Sequence, residues 1–309
     1  MTTPSDPIPF KPSQPFCDPA HGDIILRATD DAIFHVHRVV LSIASPILKD
    51  TLSIPQPTAS AHAPEISMPH SGPVLDRECF FYPGAQPIVE SLTQLREILE
   101  ILVDRCDVQS VVNHGQVYLR AYITEEPLRV YAIAVRHGWD DLAREAAKEC
   151  LKLPLRSSAL EPPVEFCYVS GLAYPRLVQY HYRCGQAGQQ GCRVPDPRPL
   201  VRSSHEFGGS GKVPKKCPSC RGQGWLDEYR ERMGEKIQVT PVRSIQDPVL
   251  EIQVMEKAGD CSTCRGWAEE LFKNGWNAID AAISKACLVV AFVLAVTDGT
   301  LQVKLNLDF

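Results

Sequence analysis

Between Gly22 and Ser45 the pattern of apolar and polar positions changes its period. Ile24, Leu26 and Ala28 alternate with Ile25 and Arg27, Thr29-Asp30-Asp31 interrupts, and Ile33 to Val36 resumes the extended pattern. Two short alternating runs around an Asp-rich turn predict a β-hairpin. From Arg38 the spacing is helical. Val39, Val40, Ile43 and Ile47 recur along one helix, which runs to about Leu52 with Pro46 marking a turn near its end. A loop of Pro, Ser, Thr and Ala follows, and Glu65 to Met68 offers a short third strand. Cys79 to Gly84 predicts a short buried helix closed by a tight turn. Ile88, Leu92, Leu95, Leu99 and Leu102 then form the wide apolar face of an amphipathic helix, and Val108 to Leu119 predicts another. Pro127 suits the first turn of a helix with Leu128, Tyr131 and Val135 on one side. Gly138 ends that helix, and Asp140 is expected to cap the next, through about Leu151.

The order strand, turn, strand, helix in Asp23-Ile24, Phe34-x-Val36-His37-Arg38-x-Val40-Leu41 and Ser45-Pro46 resembles the opening of a BTB (POZ) domain. The resemblance implies that Asp23 starts the first strand, that His37 stands at the strand-to-helix junction, and that Leu41 faces the core. It implies a protein–protein interaction module, usually dimeric, and in many members a substrate adaptor for a cullin-type ubiquitin ligase. His37 taken by itself equally suits a residue that caps or packs at a helix start. The run from Leu92 to Leu155, with PLRVYAIAVRHGW, and the later Tyr180-His181-x-x-Cys184 and Cys pairs resemble BTB proteins that are numerous in mushroom-forming fungi. The likeness is broken in two places. The segment before Cys79 is compressed, and the tail after Lys285 has no counterpart. Leu288 to Phe309 is therefore open between a strand pair and non-native sequence.

Composition narrows the function classes. The 309 residues suffice for two modest domains, and 44% hydrophobic with 22% charged residues is the balance of a soluble protein. A net charge of -5 argues against sequence-independent nucleic-acid binding, which needs a basic surface. The first residues are polar and Pro-rich, without the basic-then-apolar order of a secretory signal. The longest apolar run, Cys287 to Val296, is ten residues, against the roughly 20 that span a bilayer. Twelve Cys in such a chain point to a reducing compartment, cytoplasmic or nuclear, where Cys pairs more often bind metal than form disulfides.

Two Cys-x-x-Cys pairs, Cys217/Cys220 and Cys261/Cys264, carry the candidate chemistry. Two thiolates at this spacing grip one zinc ion from a single turn, and two such turns complete a tetrahedron. Four free thiols are the alternative, and the long gap between the pairs exceeds a zinc-ribbon spacing, so the chain must loop back from Trp225 to Met255. Cys217-Pro-Ser-Cys220-Arg-Gly222-Gln-Gly224 resembles the zinc-binding repeat of DnaJ-type chaperones, which implies metal binding. With one full copy, a partial one and no His-Pro-Asp signature, it does not imply chaperone function. His181, Cys184 and Cys192 are reserve ligands, with ordinary helix surface and core as their other reading; His181 and Cys184 share a helix face. From Val201 to Gly266 the sequence is poor in aliphatic clusters, so a structural zinc is expected to supply order that burial does not. Gly208-Gly-Ser-Gly-Lys212 lacks the spacing of a phosphate loop and reads as a linker, and the basic cluster Lys212, Lys215, Lys216, Arg221 reads as a solvated loop. No Ser/His/Asp or paired-carboxylate arrangement has a motif context, and no enzymatic activity is expected.

The expected fold class is α+β: a BTB/POZ-like domain of small β-sheet and helical bundle, then a mainly α-helical Cys-rich region. The expected order is a disordered leader to residue 17, the BTB-like domain at 18–155, a helical extension at 156–200, the Cys-rich region at 201–286 and a tail at 287–309. The expected function is self-association as a homodimer through the BTB-like part and recruitment of other proteins. A cullin adaptor and a zinc-dependent nuclear regulator are the alternatives. A membrane partner is not expected and nucleic acid is disfavoured.

Overall fold

A computed structural model describes residues 10–54, 63–77, 89–157, 160–193, 217, 219, 224–242 and 247–294, without the side chains of 109, 110 and 288–294. The chain divides into two compact units, Met1–Tyr122 and Ile123–Phe309. Cys79 to Gly84, Ile88 and the linker with its basic cluster lie outside the described residues.

The first unit is built on a three-stranded sheet in the order β2-β1-β3. Strands β1 (Ile24–Arg27) and β2 (Ile33–Val36) form the expected antiparallel hairpin, with Leu26 opposite Phe34. Asp31 takes a positive φ of 61° in the turn, a left-handed conformation that Asp tolerates better than most residues. Strand β3 (Glu65–Ser67) joins β1 in parallel, Leu26 opposite Ile66, with an exposed Arg27–Glu65 ion pair beside the ladder. Period-2 alternation sends Ile24, Leu26, Phe34 and Val36 into the core.

One helix was expected from Arg38 to about Leu52, and two are present: α1 (Arg38–Ala44) and α2 (Pro46–Ser53). The break is at Ser45, whose backbone is extended because the residue before a proline is pushed out of the helical region. Buried Ser45 serves both sides of it. Its hydroxyl accepts from the Leu48 N–H at 3.0 Å, capping α2, and donates to the Cys106 carbonyl. Asp23 also spans two elements, since its carboxylate accepts the Arg38 N–H at the start of α1, 2.7 Å away. Leu41 is fully buried, as expected.

After the short α3 (Gly72–Arg77), helix α4 (Leu92–Leu99) continues into a π-helical turn at Glu100–Arg105. Their shared face buries Leu92, Leu95, Ile98, Leu99, Ile101 and Leu102. Helix α5 (Gln109–Ala121) completes the unit. Phe16, inside the segment expected to be a disordered leader, is buried, and its carbonyl accepts the His35 N–H at 2.8 Å. One aromatic ring and a backbone hydrogen bond order a stretch that has no periodicity.

The second unit is helical. Helices α6 (Pro127–Arg136) and α7 (Asp140–Glu149) form a hairpin whose turn is closed by Gly138 at φ 68°, the conformation glycine adopts at no steric cost. Trp139, not Asp140, occupies the cap position of α7. Asp140 lies in the first turn, where its charge faces the positive end of the helix dipole. Helix α8 (Ala173–Gly191) packs against α9 (Trp225–Val239) and against α11 (Ser262–Leu294), while α10 (Pro248–Ala258) packs on α9 and α11.

Two expectations change here. The segment expected to lack an apolar core has one: Trp225, Leu226, Tyr229, Met233 and Ile237 of α9 and Leu250 and Val254 of α10 are buried. These residues fall at helical spacing on separate helices, and only the packing gathers them into one cluster. Instead of a strand pair from Leu288, α11 continues as helix to Leu294, because extending a formed helix needs no new nucleus.

Candidate interaction surface and metal centre

In the first unit, the row read along one helix is divided between two at Ser45, and three of its four residues are exposed. Val39 is 61% exposed, Ile43 81% and Ile47 45%, while Leu41 between them is fully buried. Val39 and Ile43, four residues apart, share a face of α1, and Ile47 in the first turn of α2 is exposed beyond the break at Ser45. The reason is the shortness of α1. Asp23 and Ser45 fix its two ends, and of its seven residues only one large side chain, Leu41, is buried.

The second unit collects thiols. Cys217, Cys261 and Cys264 place their sulfurs within 4.8 Å of one another, with Cys217 and Cys264 buried and Cys261 partly so. Cys217 Sγ and Cys261 Sγ are 3.7 Å apart. Two thiolates at 2.3 Å from one ion at the tetrahedral angle are about 3.8 Å apart, so this edge already has the dimension of a zinc site. The three residues could hold a metal ion. Cys220, the fourth expected ligand, lies outside the described residues.

The long gap is bridged by helix. α9 leads away from Cys217, α10 returns, and Gly259 at φ 58° turns the chain into Cys261 and the first turn of α11, which holds Cys264. Asp247 caps α10 by accepting from Val249 and Leu250, and Lys257–Glu228 and Lys236–Asp247 ion pairs tie the two helices. Ser219 and Thr263 hydroxyls, 2.9 Å apart, add a polar contact beside the sulfurs.

The reserve ligands are elsewhere. His181 is fully buried and its Nε2 is 2.9 Å from the Leu153 carbonyl oxygen. Burial holds its imidazole below the usual titration range, only partly opposed by that hydrogen bond. Cys192 packs beside Tyr229 and Trp276. Cys184 meets Cys287, Sγ to Sγ 3.4 Å, and the Tyr180 hydroxyl is 3.0 Å from Cys287 Sγ. This pairing was not legible beforehand: Cys184 and Cys287 are 103 residues apart, and no motif joins them.

No helix of the described residues is long and apolar enough to cross a membrane. None of the curated proteins compared matches the chain. Residues 13–122 match the family described as BTB/POZ domain. The sheet, the two-helix break at Ser45 and the helices that follow are therefore those of a BTB/POZ domain, a protein–protein interaction module joined to a mainly helical region.

Proposed function

We propose that this protein is a non-enzymatic interaction protein that self-associates as a homodimer through its BTB/POZ domain and recruits other proteins, in the cytoplasm or nucleus. The observation that carries the reading is the exposed strip of Val39, Ile43 and Ile47. Leaving three aliphatic side chains in water forfeits roughly 1.5–3 kcal/mol each relative to full burial, which a partner surface recovers. A twofold axis beside α1 would set the strip against its own copy, an arrangement in which one patch serves both sides. Light scattering of the full chain at micromolar concentration should give a dimer, and Ile43→Glu should give a monomer with unchanged helix content. A wild-type chain that is monomeric throughout would refute self-association. Co-purification of a cullin would make the adaptor reading the specific one.

The second part of the proposal is a structural zinc held by Cys217, Cys220, Cys261 and Cys264. The sulfur geometry of the three described thiols supports it. Four thiolates leave no open position on the ion, so the site would pin the α9–α10 hairpin to α11 and perform no chemistry. Because α9 and α10 have a core of their own, the metal would add to existing order. Zinc analysis of protein purified without added metal should find close to one ion per chain, and none in Cys217→Ser/Cys261→Ser. Metal-free wild-type protein with unaltered thiols would refute the site. Retention of DNA that weakens with salt would favour the nuclear-regulator alternative.

A further inference from the structure

The contact between α8 and α11 is built on glycine. A Cβ at Gly188 would lie 2.4 Å from Ile237 Cγ2 and 3.0 Å from Ile283 Cδ1, and one at Gly191 would lie 2.8 Å from the Ile279 Cα. Moving toward the N-terminus of α8 moves toward the C-terminus of α11: Gly191 meets Ile279, Gly188 meets Ile283, and Cys184 meets Cys287. The helices are therefore antiparallel and meet backbone to backbone at Gly191, while Gly188 admits the side chains of Ile283 and of Ile237 on α9, and the same row of α8 carries the thiol. The two sulfurs lie 3.4 Å apart one and two turns along α8 from these close approaches.

We propose that Cys184 and Cys287 are a redox pair that closes to a disulfide between α8 and α11 when the protein meets a peroxide. The sulfurs need to approach from 3.4 Å to the roughly 2.05 Å of an S–S bond, within the reach of small χ adjustments. Cys287 is the attacking sulfur. The Cys184 contact, the Tyr180 hydroxyl that donates to it and the cation of Lys148 together favour its thiolate over burial. It is also the one with residual access, 8% exposed against 0% for Cys184. The Cys287 thiolate attacks one peroxide oxygen, the O–O bond breaks, and water leaves after taking up a proton, giving the sulfenic acid. The Cys184 sulfur then attacks Cys287 Sγ. The S–O bond breaks, and hydroxide leaves with the Cys184 proton as a second water. Two thiols and one peroxide become one disulfide and two waters: the sulfurs lose two electrons and the peroxide oxygens gain them. The bond ties two helices across 103 residues of chain, so that α8 and α11 cannot separate until a thiol reductant opens it.

The test uses the full chain, reduced, freed of reductant and treated with graded hydrogen peroxide while folded. Remaining thiols are then alkylated, and the digest is read by mass spectrometry. Exposed Cys167 serves as the dose reference. A linked Cys184–Cys287 peptide should appear at doses that leave most Cys167 reduced and should vanish with a thiol reductant. Cys184→Ala should stop at the Cys287 sulfenic acid, trapped by a dimedone-type reagent, and Cys287→Ala should leave Cys184 unoxidised. Linked wild-type protein should melt roughly 5 °C or more above the reduced form. Two free thiols at 184 and 287 once Cys167 is consumed, a link that forms only after heat unfolding, or sulfinic acid at Cys287 without a link would each overturn the pair. A linked protein that melts no higher would overturn the bracing. If an alanine variant fails to fold, the wild-type peptide map still decides.

Discussion

The two units keep their chemistry on opposite sides of their surfaces. Among the described residues, the first unit buries Ser45 and one thiol, Cys106, and leaves aliphatic Val39, Ile43 and Ile47 in solvent. The second buries the ionisable Glu165 and His181 together with Cys150, Cys184, Cys192, Cys217, Cys264 and Cys287. An apolar strip outside is what binding another protein uses, whereas ionisable and thiol groups inside act on the unit that contains them.

The largest effect expected from a single substitution lies with the buried charge. Arg129 holds Glu165 through Nε and Nη2, at 2.9 and 2.7 Å, and also pairs with Glu126. Glu165 is 2% exposed, so Arg129→Ala strands a buried carboxylate and should cost about 3–5 kcal/mol in denaturant unfolding. A loss of under about 1 kcal/mol would mean that water reaches Glu165 and that the second unit is less sealed than the contrast requires.

In the first unit, Leu41→Ala should cost about 2–5 kcal/mol by opening a cavity in the core, while Ile43→Glu on the same helix, compared with wild type dilute enough to be monomeric, should cost within about 0.5 kcal/mol. Equal losses at both positions would erase the distinction between inner and outer faces of α1.

The smallest effect is a pH slope. His181 titrates below its ordinary value of 6.5 when folded, so in acid the unfolded chain binds the proton more readily. Its contribution is full above pH 6.5 and is lost as pH falls from there toward the folded pKa, at no more than about 1.4 kcal/mol per pH unit. Thermal unfolding of wild type and His181→Gln between pH 7.5 and 5 checks it. The variant should lack this component of the acid slope, and identical slopes would place His181 in a hydrated site.

Much of the fold was legible because it is local. Alternation marked β1 and β2, and Pro127 and Gly138 marked the ends of α6, since strand and helix periods and the φ demands of Pro and Gly act within a few residues. The same information placed Val39, Val40, Ile43 and Ile47 along one helix but showed neither the break at Ser45 nor that Val39, Ile43 and Ile47 stay outside. That depended on Asp23 and Ser45 anchoring a seven-residue helix from outside it. The two Cys pairs were visible by spacing, yet the meeting of Cys217 with Cys261 required the α9–α10 hairpin to form and return.

By itself, then, the sequence determined the β-hairpin, the helices that begin at Pro127 and after Gly138, the interaction-domain signature and the identity of the thiols able to gather. Only the tertiary structure decided which apolar residues stay outside and which thiols become neighbours. Cys184 meets Cys287 on helices that Gly191 lets approach backbone to backbone and between which Gly188 makes room for Ile283. A periodicity constrains the direction of a side chain relative to its own helix. The approach of two helices is set by side-chain volume summed across residues far apart in the chain, which no short window contains.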